Sequence, residues 1–117
     1  MVQAAYLLDS IRRDVVLRAI REVCLFRGWG LLAAHVRTNH VHVVVEAECL
    51  PEGVMQDFKA YSSRALNGLG IERKDGKRWA LHGSTRWLFR DLEVQEAVRY
   101  VVYGQGETMA VYLDERL

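Results

Sequence analysis

Arg37-Thr38-Asn39-His40-Val41-His42-Val43-Val44-Val45-Glu46 is the stretch on which the fold turns. Its valine run is strong strand sequence. Side chains alternate between the two faces of a strand, so His40 and His42 point the same way and can offer two imidazoles to one metal ion. The same spacing also suits two polar residues on the wet face of a sheet. Upstream, residues 29–36 form a second apolar run ending at Val36, and the short Arg37-Thr38-Asn39 connection predicts an antiparallel hairpin. A two-residue loop at Thr38-Asn39 sets Arg37 opposite His40 and His35 opposite His42. Ala34, Val36, Val41 and Val43 then share the other, core-facing side. The histidine face also carries His35, Arg37 and Glu46.

Working outward, the apolar run Ala4-Ala5-Tyr6-Leu7-Leu8 reads as a short buried strand leading to a helix cap at Asp9 or Ser10. Between Ile11 and Phe26, the residues Ile11, Val15, Ala19, Ile20 and Val23 recur at helical spacing, with arginines mostly off the stripe and Gly28 as the stop. Such a basic side is ordinarily solvated surface. Pro51 opens a second helix to about Asn67, with Val54, Phe58, Tyr61, Ala65 and Leu69 on one stripe. Its Lys59, Ser62, Ser63 and Arg64 lie elsewhere, either lining a ligand groove or simply wet.

From Arg73 to Arg90 the chain carries six basic residues (Arg73, Lys74, Lys77, Arg78, Arg86 and Arg90) against Asp75, interleaved with Trp79 and Trp87. Cations for phosphates beside flat rings for bases suit single-stranded nucleic acid, although a basic loop beside two core tryptophans has the same composition. A Gly83-Ser84 turn leads here into an aromatic strand. The last helix starts near Asp91, with Val94, Ala97, Val98 and Val101 as its buried stripe. Tyr100 falls away from that stripe, on the side of Glu93, Glu96 and Tyr103, where core packing does not account for it. Gly104-Gln105-Gly106 ends the helix, and Thr108 to Leu113 can add an edge strand.

The whole of 117 residues is half apolar, enough for one core and one domain spanning residues 1–117. A formal net charge of +1 recommends no charged partner. Cys24 and Cys49 stand in apolar surroundings, form no close pair and fit reduced, buried thiols in a cytoplasmic protein. No apolar run reaches membrane-spanning length, and the N-terminus lacks the pattern of a signal peptide.

These pieces together resemble the HUH superfamily of single-tyrosine transposases, including the insertion-sequence and REP-associated tyrosine transposases. The resemblance rests on Thr38-Asn39-His40-Val41-His42-Val43-Val44 and on a late-helix tyrosine in Val98-Arg99-Tyr100-Val101-Val102-Tyr103. Phe58-Lys59-Ala60-Tyr61-Ser62-Ser63 and His82-Gly83-Ser84-Thr85-Arg86 are similar to family segments between them. It implies an α+β fold, ferredoxin- or RRM-like, with an antiparallel sheet of about four strands, packed helices and the histidine motif on a central strand. It also implies a metal-dependent single-stranded DNA endonuclease and strand transferase, acting on hairpin-bearing ends and often dimeric. In that reading His40 and His42 hold Mg²⁺ or Mn²⁺, and Tyr100 attacks phosphorus to leave a 5′-phosphotyrosyl link. DNA contacts are expected from Arg37, Lys59, Arg64, Arg73, Lys74, Lys77, Arg78 and Arg86. The family's third metal ligand stands one helical turn after the tyrosine, which is Gly104 here; Gln105 is therefore the expected third ligand, with Glu96 and Glu46 behind it. Tyr103 is the reserve nucleophile. Rival functions are a noncatalytic single-stranded nucleic-acid-binding module and a metal-dependent hydrolase that needs the histidines but not Tyr100.

Overall fold

The computed structural model describes residues 6–70, 88 and 90–115. Helix α1 (Ser10–Arg27) leads into the hairpin of β1 (Gly30–Val36) and β2 (Val41–Glu46); α2 (Pro51–Asn67), α3 (Asp91–Tyr103) and β3 (Ala110–Leu113) follow. This is an α+β arrangement of three helices on an antiparallel sheet ordered β2-β1-β3. The aromatic strand expected after the Gly83-Ser84 turn lies, apart from Leu88, outside the described residues, among which three strands are seen where about four were expected. Among the described residues the centre of the sheet is β1 rather than the histidine-bearing β2, because β3 pairs along the other edge of β1.

The hairpin register is the one a two-residue loop dictates. His35 pairs with His42, Ala34 with Val43 and Val36 with Val41, and the backbone N–H of Arg37 donates to the His40 carbonyl at 2.8 Å. A bulge between Leu31 and Ala33 shifts the far end, leaving Gly30 opposite Glu46. Six consecutive β1 residues, Leu31 to Val36, are buried. A strand covered on both faces loses the alternation of a half-wet strand.

The covering layers differ. One face packs Leu31, Ala34, Val36 and Ala110 against Val16, Ile20 and Cys24 of α1. The other packs Ala33, Val44, Val111 and Leu113 against Val98, Val101 and Val102 of α3. Burying each α3 valine contributes roughly 1.5–3 kcal/mol. α2 packs on α1, in the layer opposite α3. Two apolar stripes therefore sit slightly differently than their periodicity predicts. α1 buries Val16, Ala19, Ile20, Val23 and Cys24, while Ile11, about 140° around the helix from Val16 at 100° per residue, is 61 % exposed. α2 buries Val54, Ser62 and Leu66. Phe58 meets Trp29 edge-on at 5.9 Å between ring centroids.

Local signals set the helix ends. The Asp9 carboxylate caps α1 by accepting from the Arg12 N–H at 2.9 Å. Gly28 closes it in the left-handed region, at φ 74°, with its N–H turned back to the Cys24 carbonyl. The described part of the expected first strand is not a strand: Leu8 is buried, its N–H donates to the Thr38 carbonyl at 2.7 Å and its carbonyl accepts from Arg13 Nη1 at 2.8 Å. The Thr38 contact ties the chain start to the loop before His40. Four arginines of α1 have structural partners: Arg12 pairs with Asp9, Arg13 donates to the Leu8 carbonyl, Arg27 pairs with Asp57, and Arg21 lies over the Tyr112 ring. Among the described residues no helix is long and apolar enough to cross a membrane.

Candidate functional site

His40 immediately precedes β2 and His42 is its second residue, two positions apart on one face. Their rings stack, with centroids 6.0 Å apart and planes inclined by 20°. The His40 Nδ1 lies 2.7 Å from the Asn39 side-chain oxygen, which can only accept; the ring proton then sits on Nδ1 and leaves Nε2 as a donor atom for a cation. His42 and Tyr100 meet edge to face, at 6.2 Å between centroids and 89° between planes. His42 is thus in ring contact with both His40 and Tyr100.

Tyr100 reaches this place because α3 buries Val98, Val101 and Val102 on the sheet face that carries His42. On a 3.6-residue period the tyrosine then stands at the margin of the packed stripe, 56 % exposed. Beside it an open groove of about 390 Å³ is lined by Glu96, Arg99, Tyr100, Tyr103 and Gly104. Arg99 went unassigned in the sequence reading; its adjacency to Tyr100 in Val98-Arg99-Tyr100 was the available signal.

Burial lowers the His42 pKa below 6.5, and the neighbouring His40, His35 and Arg37 push in the same direction. A neutral imidazole is the form that ligates metal, so His42 is held ready near neutrality. Among the described residues no group of three or more His, Cys, Asp or Glu could hold a metal ion. Two imidazole donors would fill two of the six positions around Mg²⁺ or Mn²⁺, and the remainder requires oxygen donors from an amide, water or phosphate.

The other expected site residues are distributed unevenly. Arg37 donates from Nη1 to the Glu107 carbonyl at 2.8 Å, tying the hairpin to the segment before β3 while its charge still reaches His42. The Gln105 side-chain amide donates to the Val101 carbonyl at 3.1 Å. Lys59 and Arg64 sit on α2, across the sheet from Tyr100, and Arg64 lies over the Tyr61 ring. Arg73, Lys74, Lys77, Arg78 and Arg86, with Trp79 and Trp87, lie outside the described residues.

The antiparallel hairpin thus presents a histidine pair beside a tyrosine on a packed helix. The sequence matches the family described as "Transposase IS200 like" over residues 4–88, and the chain belongs to that transposase family. The match contains both histidines and stops before α3. Comparisons with curated proteins and with solved structures give no match.

Proposed function

We propose that the protein cleaves and rejoins single-stranded DNA at hairpin-bearing ends, with Tyr100 as nucleophile. The observation that carries this reading is the edge-on contact between Tyr100 and His42 within a chain of the transposase family. In the proposed site His40 and His42 supply two metal donors and the Gln105 side-chain oxygen a third. A bound Mg²⁺ or Mn²⁺ supplies charge that polarises the scissile phosphate and favours the ionised phenol.

Tyr100 gives up its hydroxyl proton to solvent and attacks phosphorus. A bond from the tyrosine oxygen to phosphorus forms, the bond to the 3′ oxygen breaks, and that oxygen takes a proton to become a free 3′-hydroxyl. The phosphodiester is kept as a 5′-phosphotyrosyl link, so rejoining is the reverse attack by a 3′-hydroxyl. Arg99, in the groove beside Tyr100, and Arg37, beside His42, are the cations for the scissile strand. Lys59 and Arg64 are left for DNA beyond it.

Incubation with 3′-labelled hairpin-bearing single strands and Mn²⁺ should give a labelled protein band on a denaturing gel, lost in Tyr100→Phe and kept in Tyr103→Phe. Cleavage with no covalent band would support the hydrolase, and binding with no cleavage the noncatalytic module.

A further inference from the structure

His35 is fully buried, on the sheet face covered by α3 and directly opposite His42 in the hairpin. Both of its ring nitrogens are used. The Met109 backbone N–H donates to Nε2 at 3.0 Å, which requires a lone pair there and puts the ring proton on Nδ1. Nδ1 in turn donates to the Val101 carbonyl at 2.8 Å. One imidazole therefore ties β1 both to the residue after Tyr100 and to the residue before β3.

Val101 lies in the last turn of α3, where carbonyls lack partners within the helix. Its carbonyl accepts from His35 and also from the Gln105 side chain. An apolar side chain would satisfy the packing of β1, whose other buried residues are Leu, Ala and Val, without the cost of burying an imidazole. What the imidazole adds is direction. Hydrogen bonds fix the height and rotation of a helix on a sheet, whereas valine packing tolerates sliding.

We infer that His35 is a positioning residue: with its ring held by the Met109 N–H, its Nδ1–H bond to Val101 sets α3 on the hairpin so that Tyr100 stands beside His42 and Gln105 stays at the helix end. The contacts close a circuit, from His42 across the hairpin to His35, through Val101 to Tyr100, and from Tyr100 back to His42. The functional part rests on the reading of Tyr100 as nucleophile.

Three substitutions separate the bonds. His35→Asn keeps a donor where Nδ1 stands, His35→Gln keeps an acceptor where Nε2 stands, and His35→Leu keeps neither. Single-turnover adduct formation is measured with a pool of 3′-labelled hairpin-bearing single strands and MnCl₂, beside strand affinity and amide exchange at Met109 and residues 101–105. His35→Leu should slow adduct formation at saturating strand on the order of tenfold to hundredfold, the scale of a small nucleophile displacement, with strand affinity unchanged. His35→Asn should recover most of that rate, and His35→Gln little.

A folded His35→Leu protein reacting at the wild-type rate overturns the inference, as do Asn and Gln variants slowed alike. If His35→Leu does not fold, the Asn and Gln pair still decides. Should the wild-type protein form no adduct, the reading of Tyr100 fails instead, and exchange then tests the clamp by itself. Faster exchange at residues 101–105 in His35→Gln than in His35→Asn supports it, and equal exchange overturns it.

Discussion

Tyr100 occupies the space a side chain at Gly104 would need: a Cβ built there stands 2.8 Å from the ring carbon Cδ2 of Tyr100 and 2.9 Å from its carbonyl oxygen. The glycine has φ −86°, so volume rather than backbone conformation calls for it. The resemblance would set a third metal ligand at this position, and here the tyrosine takes the room. Gly104→Ala should destabilise the fold by about 1–3 kcal/mol, since the clash involves backbone as well as the ring. Adduct formation should fall further than that loss explains, because the ring must turn away from its place beside His42. Urea unfolding and the single-turnover rate, measured on one preparation, check the two effects.

Acid should weaken the fold through His42. Its folded pKa is depressed by burial and by positive neighbours, while the unfolded chain keeps the ordinary value near 6.5. Below pH 6.5 the unfolded state therefore binds more protons at this site. The associated stability is complete above pH 6.5 and is lost as pH falls through the folded value. With a chelator present, the urea midpoint of wild type should drop more steeply below pH 6.5 than that of His42→Gln; parallel profiles would refute this.

Divalent metal should stabilise the protein through the histidine pair. A ligand at about 100 times its Kd raises unfolding free energy by about 2.7 kcal/mol when it binds only the folded state. Mn²⁺ should raise the wild-type Tm, the shift should vanish in His40→Ala and His42→Ala, and EDTA should abolish adduct formation. An undiminished shift in both variants would move the metal elsewhere.

The two cysteines should react at very different rates. Burial pushes the Cys24 thiol up to about 11, whereas Cys49, expected from its apolar neighbours to be buried, is exposed just before α2. Alkylation proceeds through the thiolate. Brief maleimide treatment of folded protein should add one label, mapped to Cys49 by peptide mass spectrometry, with Cys24 labelled after denaturation.

Much of the site was legible residue by residue. The period-2 pattern around His40 and His42, with Thr38-Asn39 as a two-residue loop, is sufficient to pair His35 with His42, as observed. The 3.6-residue period of α3 likewise puts Tyr100 off the buried stripe, and Asp9 and Gly28 mark the ends of α1 as cap chemistry requires. Each of these signals is local, carried by residues a few positions apart, and so survives in the bare sequence.

Tertiary structure decided which face each helix covers. α3 lies over His42 while α2 lies in the opposite layer, so Lys59 and Arg64 are parted from Tyr100 although Lys59, Arg64 and Tyr100 all belong to polar helix flanks. It also turned His35 from an expected member of the polar face into a buried bridge to Val101 and Met109, and filled the α2 stripe with Ser62. These outcomes depend on contacts between residues as far apart as His35 and Met109. Hydrophobic periodicity says that a face is buried but not against what, and only closure of the whole chain around β1 settles the partner.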